Sequence, residues 1–181
     1  VVGAGGAYYT SVQIAWLLRE AGVAAVAVQA YEIDAMCFGL QPDDVVLAVS
    51  QSGETADTID AVLAAKKTGA FIAALINARF STLAQLADVV FENGSGPEIC
   101  VLSTKSAVAQ ITFGYLLASA CSGRDCDTSS AIDELSYGLS RYLTEATLRS
   151  VDQVARKIEH AEHVFVLGRQ RHVGTALIAA L

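Results

Sequence analysis

Val45-Val46-Leu47-Ala48-Val49 runs without polar alternation between the turn Pro42-Asp43-Asp44 and the polar string Ser50-Gln51-Ser52-Gly53-Glu54-Thr55. A strand with one wet face alternates in polarity. A strand that does not alternate is covered on both faces, which is the habit of parallel sheets. Parallel neighbours cannot be joined by a hairpin and need a crossover, usually a helix. This one segment therefore restricts the chain to strand–helix–strand architectures.

The remaining sequence has the matching rhythm. Strands are expected at Val1-Val2, Val23–Val28, Val45–Val49, Phe71–Ile76 and Val89–Phe91. Between and after them, helices are expected at Tyr8–Ala21, Glu54–Thr68, Ser81–Leu86 and Ser103–Ser122, with a short irregular one at Tyr31–Phe38. On the first helix Val12, Ala15, Trp16 and Leu18 mark an apolar side; on Glu54–Thr68 the marks are Ile59, Val62 and Leu63. Gly22 and Gly69 fall where those helices should stop. Ser103–Ser122 is apolar nearly all round, which predicts deep packing. The alternation implies an α/β fold of right-handed crossover units on a parallel sheet, filling residues 1 to about 122.

Beyond it, Ser122–Ser130 reads as a loop, and Ala131–Glu145 and Val151–His160 as helices. Val164–Leu167, Gly168-Arg169 and Thr175–Leu181 repeat the strand–glycine–helix opening of the chain. The expected division is a first domain over 1–127, a helical linker over 128–160 and the start of a second α/β unit over 161–181. The chain is expected to be a piece of a longer protein.

Composition narrows the function. Twelve Lys and Arg against nineteen Asp and Glu give a formal net charge of −7, with no basic stripe, so nucleic acid and anionic membranes are poor partners. Apolar runs such as Ile111–Ala120 are too short to span a bilayer and are interrupted by Thr112, Gly114 and Ser119. Cys37, Cys100, Cys121 and Cys126 form neither a zinc knuckle nor a CxxC pair. Reduced thiols and the lack of a signal peptide point to the cytoplasm. His160, His163 and His172 have no spacing that suits a metal, and no metal or cofactor is expected.

The chemistry concentrates at Ser50–Thr55. This string follows a buried strand and precedes a helix, where open parallel sheets bind ligands. A helix start offers unpaired N–H groups and partial positive charge, which suits phosphate. Gly53 permits close backbone approach. Ser50, Ser52 and Thr55 add three hydroxyls within six residues. With no lysine present, this is not a nucleoside-triphosphate loop. Ser52 is equally expected as a helix cap, and both roles stay open.

The string Ser50-Gln51-Ser52-Gly53-Glu54-Thr55-Ala56-Asp57-Thr58 resembles the phosphate-binding signature of the SIS (sugar isomerase) family, above all in the isomerase half of the glutamine–fructose-6-phosphate aminotransferases. Gly96-Pro97-Glu98-Ile99-Cys100-Val101-Leu102-Ser103-Thr104-Lys105 is similar to that family's G-x-E-I-G-V-A-S-T-K segment. Phe165-Val166-Leu167-Gly168-Arg169 resembles the opening of a second SIS unit. The resemblance implies a three-layer αβα sandwich with a five-stranded parallel sheet of flavodoxin-like order. It implies fructose 6-phosphate as substrate, with Ser50, Gln51, Ser52 and Thr55 around the phosphate and Val101 and Ser103 at the sugar. It also implies a homodimer partner, a second SIS domain, and catalytic acid–base groups beyond residue 181.

There are departures. Where the family has C-G-T-S-Y, this chain has Ala4-Gly5-Gly6-Ala7-Tyr8, so two hydroxyls are missing; backbone N–H groups of Gly6 and Ala7 are the expected substitutes. Thr10 and Ser11 lie too far into the helix to replace them with assurance. Cys100 stands for a glycine and Leu102 for an alanine. Ser103 is a helix N-cap or a sugar contact, and Lys105 is expected to be structural or ion-pairing.

The function expected is sugar-phosphate binding within an enzyme that forms glucosamine 6-phosphate from fructose 6-phosphate and glutamine-derived ammonia. The alternatives are an amino-sugar phosphate deaminase or deglycase of the same family, and a non-catalytic sugar-phosphate sensor domain.

Overall fold

The computed structural model describes residues 1–36, 39–100, 103–123 and 128–181. Cys37, Phe38, Val101, Leu102 and Cys126 lie outside the described residues.

Five parallel strands form one sheet: β1 (Val2–Gly3), β2 (Val28–Gln29), β3 (Val45–Val49), β4 (Phe71–Ile76) and β5 (Val89–Glu92), in the order β2-β1-β3-β4-β5. This is the expected flavodoxin-like order. The helices are α1 (Gly6–Glu20), α2 (Ile33–Met36, preceded by a 3-10 turn at Ala30–Glu32), α3 (Ala56–Lys66), α4 (Thr82–Leu86), α5 (Thr104–Cys121), α6 (Thr128–Tyr142), α7 (Glu145–Ile158) and α8 (His172–Ala179).

The unalternating strands are buried on both faces, as their composition demands. Val46 and Ala48 of β3, with Ile72, Ala74 and Ile76 of β4, pack on Ala61, Val62 and Ala65 of α3 and on Leu83 of α4. Their sequence neighbours Leu47, Val49, Ala73 and Leu75 pack the other way, on Ile14 and Leu18 of α1 and Ala118 of α5. Period-two geometry thus divides one apolar string between two helical layers. Each fully buried aliphatic side chain contributes about 1.5–3 kcal/mol of transfer free energy.

Four expectations need correcting. Of Val23–Val28 only Val28 belongs to a strand, continued by Gln29 beside β1, while the Val26 carbonyl accepts the Val1 amino group at 2.7 Å. Val164–Leu167 forms no ladder: Phe165 and Leu167 are 85% and 91% exposed, and among the described residues no strand lies beside them. On α3 the buried face is Thr58, Ala61, Val62 and Ala65, while Leu63 is exposed. On α5 the buried face is Ser106, Ala107, Gln110, Gly114 and Ala118, while Val108, Tyr115 and Leu116 face outward. Close packing explains this inversion. A Cβ added at Gly114 would sit 2.6 Å from Cγ1 of Ile14, so small residues occupy the closest approach of α5 to α1, with Phe113 and Leu117 packed partly buried beside it.

Helices α6 and α7 bury none of their residues. Leu135, Leu139, Leu148, Val151 and Val154 are exposed along them. Helix α8 lies on α1, where Gly174 comes against the Tyr9 carbonyl and Thr175 Oγ1 donates to Gln13 Oε1 at 3.1 Å. Among the described residues no helix is long and apolar enough to cross a membrane.

Candidate functional site

The sheet order reverses between β1 and β3, and a crevice opens beyond their carboxyl ends, where such folds take ligands. A cavity of about 470 Å³ occupies it. Gly6, Ala7, Ser50, Gln51, Ser52, Thr55 and Ser103 all line this one space, joined by Ala4, Gly5, Thr58, Ala107, Gln110 and Leu181. Of the substrate-contact residues expected from the sequence, Val101 falls outside the described residues.

Three helices begin at this cavity. Gly5, Thr55 and Ser103 are the N-cap residues of α1, α3 and α5, and each lines it. None of the three makes a side-chain cap hydrogen bond. No acidic residue occupies the first turn of α1 or α5; the one on α3, Asp57, is exposed. Among the described residues no ionisable side chain lines the cavity, so the donors it offers are hydroxyls and helix-start N–H groups.

The phosphate-type loop is held by its own hydroxyls. Ser50 is 2% exposed, and its Oγ accepts the Gly53 amide at 3.0 Å and lies 3.4 Å from Thr55 Oγ1. Ser52 does not cap α3. Its Oγ accepts the Glu54 amide at 3.1 Å, before the helix starts. The Asn77 amide donates to the Gln51 carbonyl at 3.2 Å, and Leu83 donates to the Gly53 carbonyl at 3.0 Å. Gly53 has φ 66°, and an added Cβ would lie 2.1 Å from Ser81 Oγ. Glu54 points away and accepts the Thr82 amide at 2.7 Å. That backbone hydrogen bond holds the carboxyl below its usual range.

In the first loop the Ala7 amide donates to the Ala4 carbonyl at 3.1 Å. The Ala7 carbonyl accepts Ser11 Oγ at 2.7 Å. Thr10 and Ser11 are fully buried behind the loop rather than lining the cavity.

The third wall shows what the sequence hid. Ser103 sits in the left-handed region, at φ 56° and ψ 55°, which is costly for a residue with a Cβ. Its hydroxyl does not cap α5, because Glu98 does: Glu98 Oε2 accepts the Ser106 amide at 3.0 Å. That bond, chiefly, holds the Glu98 carboxyl below its usual range, with Lys105 adding a smaller charge attraction. Ser95 and Ser106 hydroxyls lie 2.9 Å apart, and Asn77 Nδ2 donates to the Gly96 carbonyl at 2.7 Å, so the glycine-rich turn is tied to both α5 and the end of β4.

Two polar lining residues were not among the sequence candidates. Thr58 Oγ1 is buried with no hydrogen-bond partner among the described residues. Gln110, 2% exposed, meets Thr10 Oγ1 at 2.7 Å. The signal for Gln110 was its polarity in the middle of an apolar helix. Thr58 stood inside the quoted motif but looked like an ordinary helical position.

The SIS domain family matches residues 1–120. The chain belongs to that family. Among curated relatives, a glutamine–fructose-6-phosphate aminotransferase (isomerizing) of Pyrobaculum aerophilum is 31% identical over 184 residues, covering 100% of this chain and 31% of the relative. Its Thermotoga maritima counterpart is 36% identical over 147 residues, covering 78% of this chain and 24% of the relative. The chain therefore spans about a third or less of these relatives' length. Among solved structures, the C-terminal domain of glucosamine-fructose-6-phosphate aminotransferase from Francisella tularensis superposes with a TM-score of 0.83 at 24% identity, over 99% of this chain and 53% of that one; at that identity it speaks for the fold.

Proposed function

We propose that this SIS domain binds a sugar phosphate, fructose 6-phosphate, within an enzyme that forms glucosamine 6-phosphate using ammonia released from glutamine. The observation that carries the reading is the convergence of three helix starts, none capped by its own N-cap side chain, on one cavity with no charged side chain among its described lining residues. Neutral hydroxyls and backbone N–H groups suit a phosphate monoester that must enter and leave. In this reading Ser50, Gln51, Ser52 and Thr55 surround the phosphate, with Gly6 and Ala7 closing it from the α1 side. Ser103 faces the sugar; the sugar-side role expected for Val101 falls outside the described residues.

The activity of the relatives supplies the rest. Amination of a C2 carbonyl followed by a proton shift between C1 and C2 needs general acid–base groups near neutrality. Among the described residues the cavity lining contains none, so in this account the domain holds the substrate and groups outside it act on the sugar. Residues 1–127 are the first SIS domain in this account, 128–160 a linker, and 161–181 the beginning of a second SIS unit. The exposed apolar faces of α6 and α7 suit burial against that unit or a second protomer. Cys100 and Cys121, both free and exposed, suit a reducing cytoplasm.

The test is a titration of the full-length protein with fructose 6-phosphate and with fructose. The phosphorylated sugar should bind at least roughly 100-fold tighter, since charge-assisted hydrogen bonds of about 1.5–3 kcal/mol each are lost without the phosphate. Equal affinity for the two would refute the assignment.

A further inference from the structure

Gln110 is the one long polar side chain buried on the cavity wall made by α5, and nothing above gives it a task. It lies seven residues after Ser103 and three after Ala107, and all three line the cavity from one face of the helix. Its carboxamide must satisfy one acceptor and two donors. Thr10 Oγ1 lies 2.7 Å from Oε1 and 2.9 Å from the Ala7 carbonyl. That carbonyl already accepts the Ser11 hydroxyl at 2.7 Å. The contact to Gln110 Oε1 is the shorter of the two made by the Thr10 hydroxyl, and with Thr10 donating there it sets which way the amide faces. Nε2 is left with no partner among the described residues, in a side chain 2% exposed that borders the cavity.

We propose that Gln110 is a specificity-determining donor. Its Nε2 recognises a hydroxyl or carbonyl oxygen on the sugar portion of the ligand, with Thr10 as the positioning residue that holds the amide in that sense. The inference rests on the sugar-phosphate reading above. Gln110 addresses the sugar end because it shares its wall with Ser103, whereas the phosphate cradle is built from the loop after β3. A donor is the useful group there, since sugar hydroxyls and carbonyls all accept. A ligand without a matching acceptor leaves this donor unpaired once it fills the cavity, which is how a polar group on a binding wall discriminates.

Gln110→Met keeps length and packing and removes the donor. Thr10→Val keeps shape and frees the amide to turn over. Both variants are made in the full-length protein and titrated with fructose 6-phosphate and with inorganic phosphate. The expected result is a 10- to 100-fold loss of affinity for the sugar phosphate in Gln110→Met, with inorganic phosphate changed less than about threefold. Thr10→Val should lose roughly 3- to 10-fold in the same selective way. A merely structural Gln110 would lower the melting temperature and weaken both ligands together, and that outcome overturns the inference. So does unchanged selectivity in well-folded variants. If the unsubstituted protein fails to prefer fructose 6-phosphate over fructose, the fault lies in the sugar-phosphate reading instead.

Discussion

Glu98 Oε2 accepts the backbone amide of Ser106 at 3.0 Å, so the start of α5 is capped by a carboxylate from the preceding loop. Ser103, at the cap position itself, keeps its hydroxyl for the cavity. This exchange of roles has a pH consequence. The Glu98 carboxyl titrates below its ordinary value of 4.5, mainly through the Ser106 bond, and Glu54 is lowered by Thr82. A depressed carboxyl contributes stability that is present above the unfolded-state value and lost as pH falls through the folded one. The melting temperature should therefore decline below about pH 4.5, and Glu98→Gln should show a smaller decline. Thermal scans from pH 6 to about 3 measure it. Identical slopes for the two proteins would remove Glu98 from the account.

Ser103 carries a different burden. A left-handed non-glycine residue costs about 1–2 kcal/mol. Glycine returns that but loses roughly 0.5–1 kcal/mol in unfolded-state entropy. Ser103→Gly is thus predicted to raise stability by up to about 1 kcal/mol while weakening sugar-phosphate binding. Urea unfolding and ligand titration on the same sample test both halves. A variant that is both less stable and equally competent would show that the strain has no function.

Gly53 allows the loop to pass Ser81. Gly53→Ala would bring a Cβ to 2.1 Å from Ser81 Oγ at a φ of 66°. Overpacking and backbone strain together predict a loss of roughly 2–4 kcal/mol. Adding Ser81→Gly should restore part of it, because the obstructing side chain is then gone. No recovery in the double variant would mean that the backbone, and not Ser81, sets the cost.

Gly114 sets the distance between α1 and α5. Gly114→Val should force the helices apart and lower stability by roughly 1–3 kcal/mol. The shift should also weaken ligand binding, since the Thr10–Gln110 contact joins the same two helices. Chemical denaturation followed by titration would show the two effects moving together.

Much of this architecture was legible because burial on both faces leaves a simple record. Val45–Val49 and Phe71–Ile76 appear in the structure with the bounds read from the sequence. The polar string at Ser50–Thr55 announced a ligand loop for the same reason: polar residues between a buried strand and a helix need a task. Strands at Val23–Val28 and Val164–Leu167 were misjudged because a strand exists only beside a partner, and apolar β-branched residues do not reveal whether one is there. The inverted face of α5 was illegible for a related reason. Gly114 against Ile14 is a tertiary fact, and hydrophobicity alone assigns the larger residues to the inside. Gln110 and Thr58 enter the site only through the packing of α5 and α3 around it.

The central claim is that the loop after β3 grips a phosphate dianion with hydroxyls and helix-start amides. Its most direct test is the affinity of the full-length protein for fructose 6-phosphate after Ser50→Ala and Ser52→Ala are introduced together, with circular dichroism confirming the fold. The account predicts a loss of at least about 100-fold, two hydrogen bonds to a charged group at the lower end of their range, about 1.5 kcal/mol each. Undiminished affinity in a correctly folded double variant would contradict it.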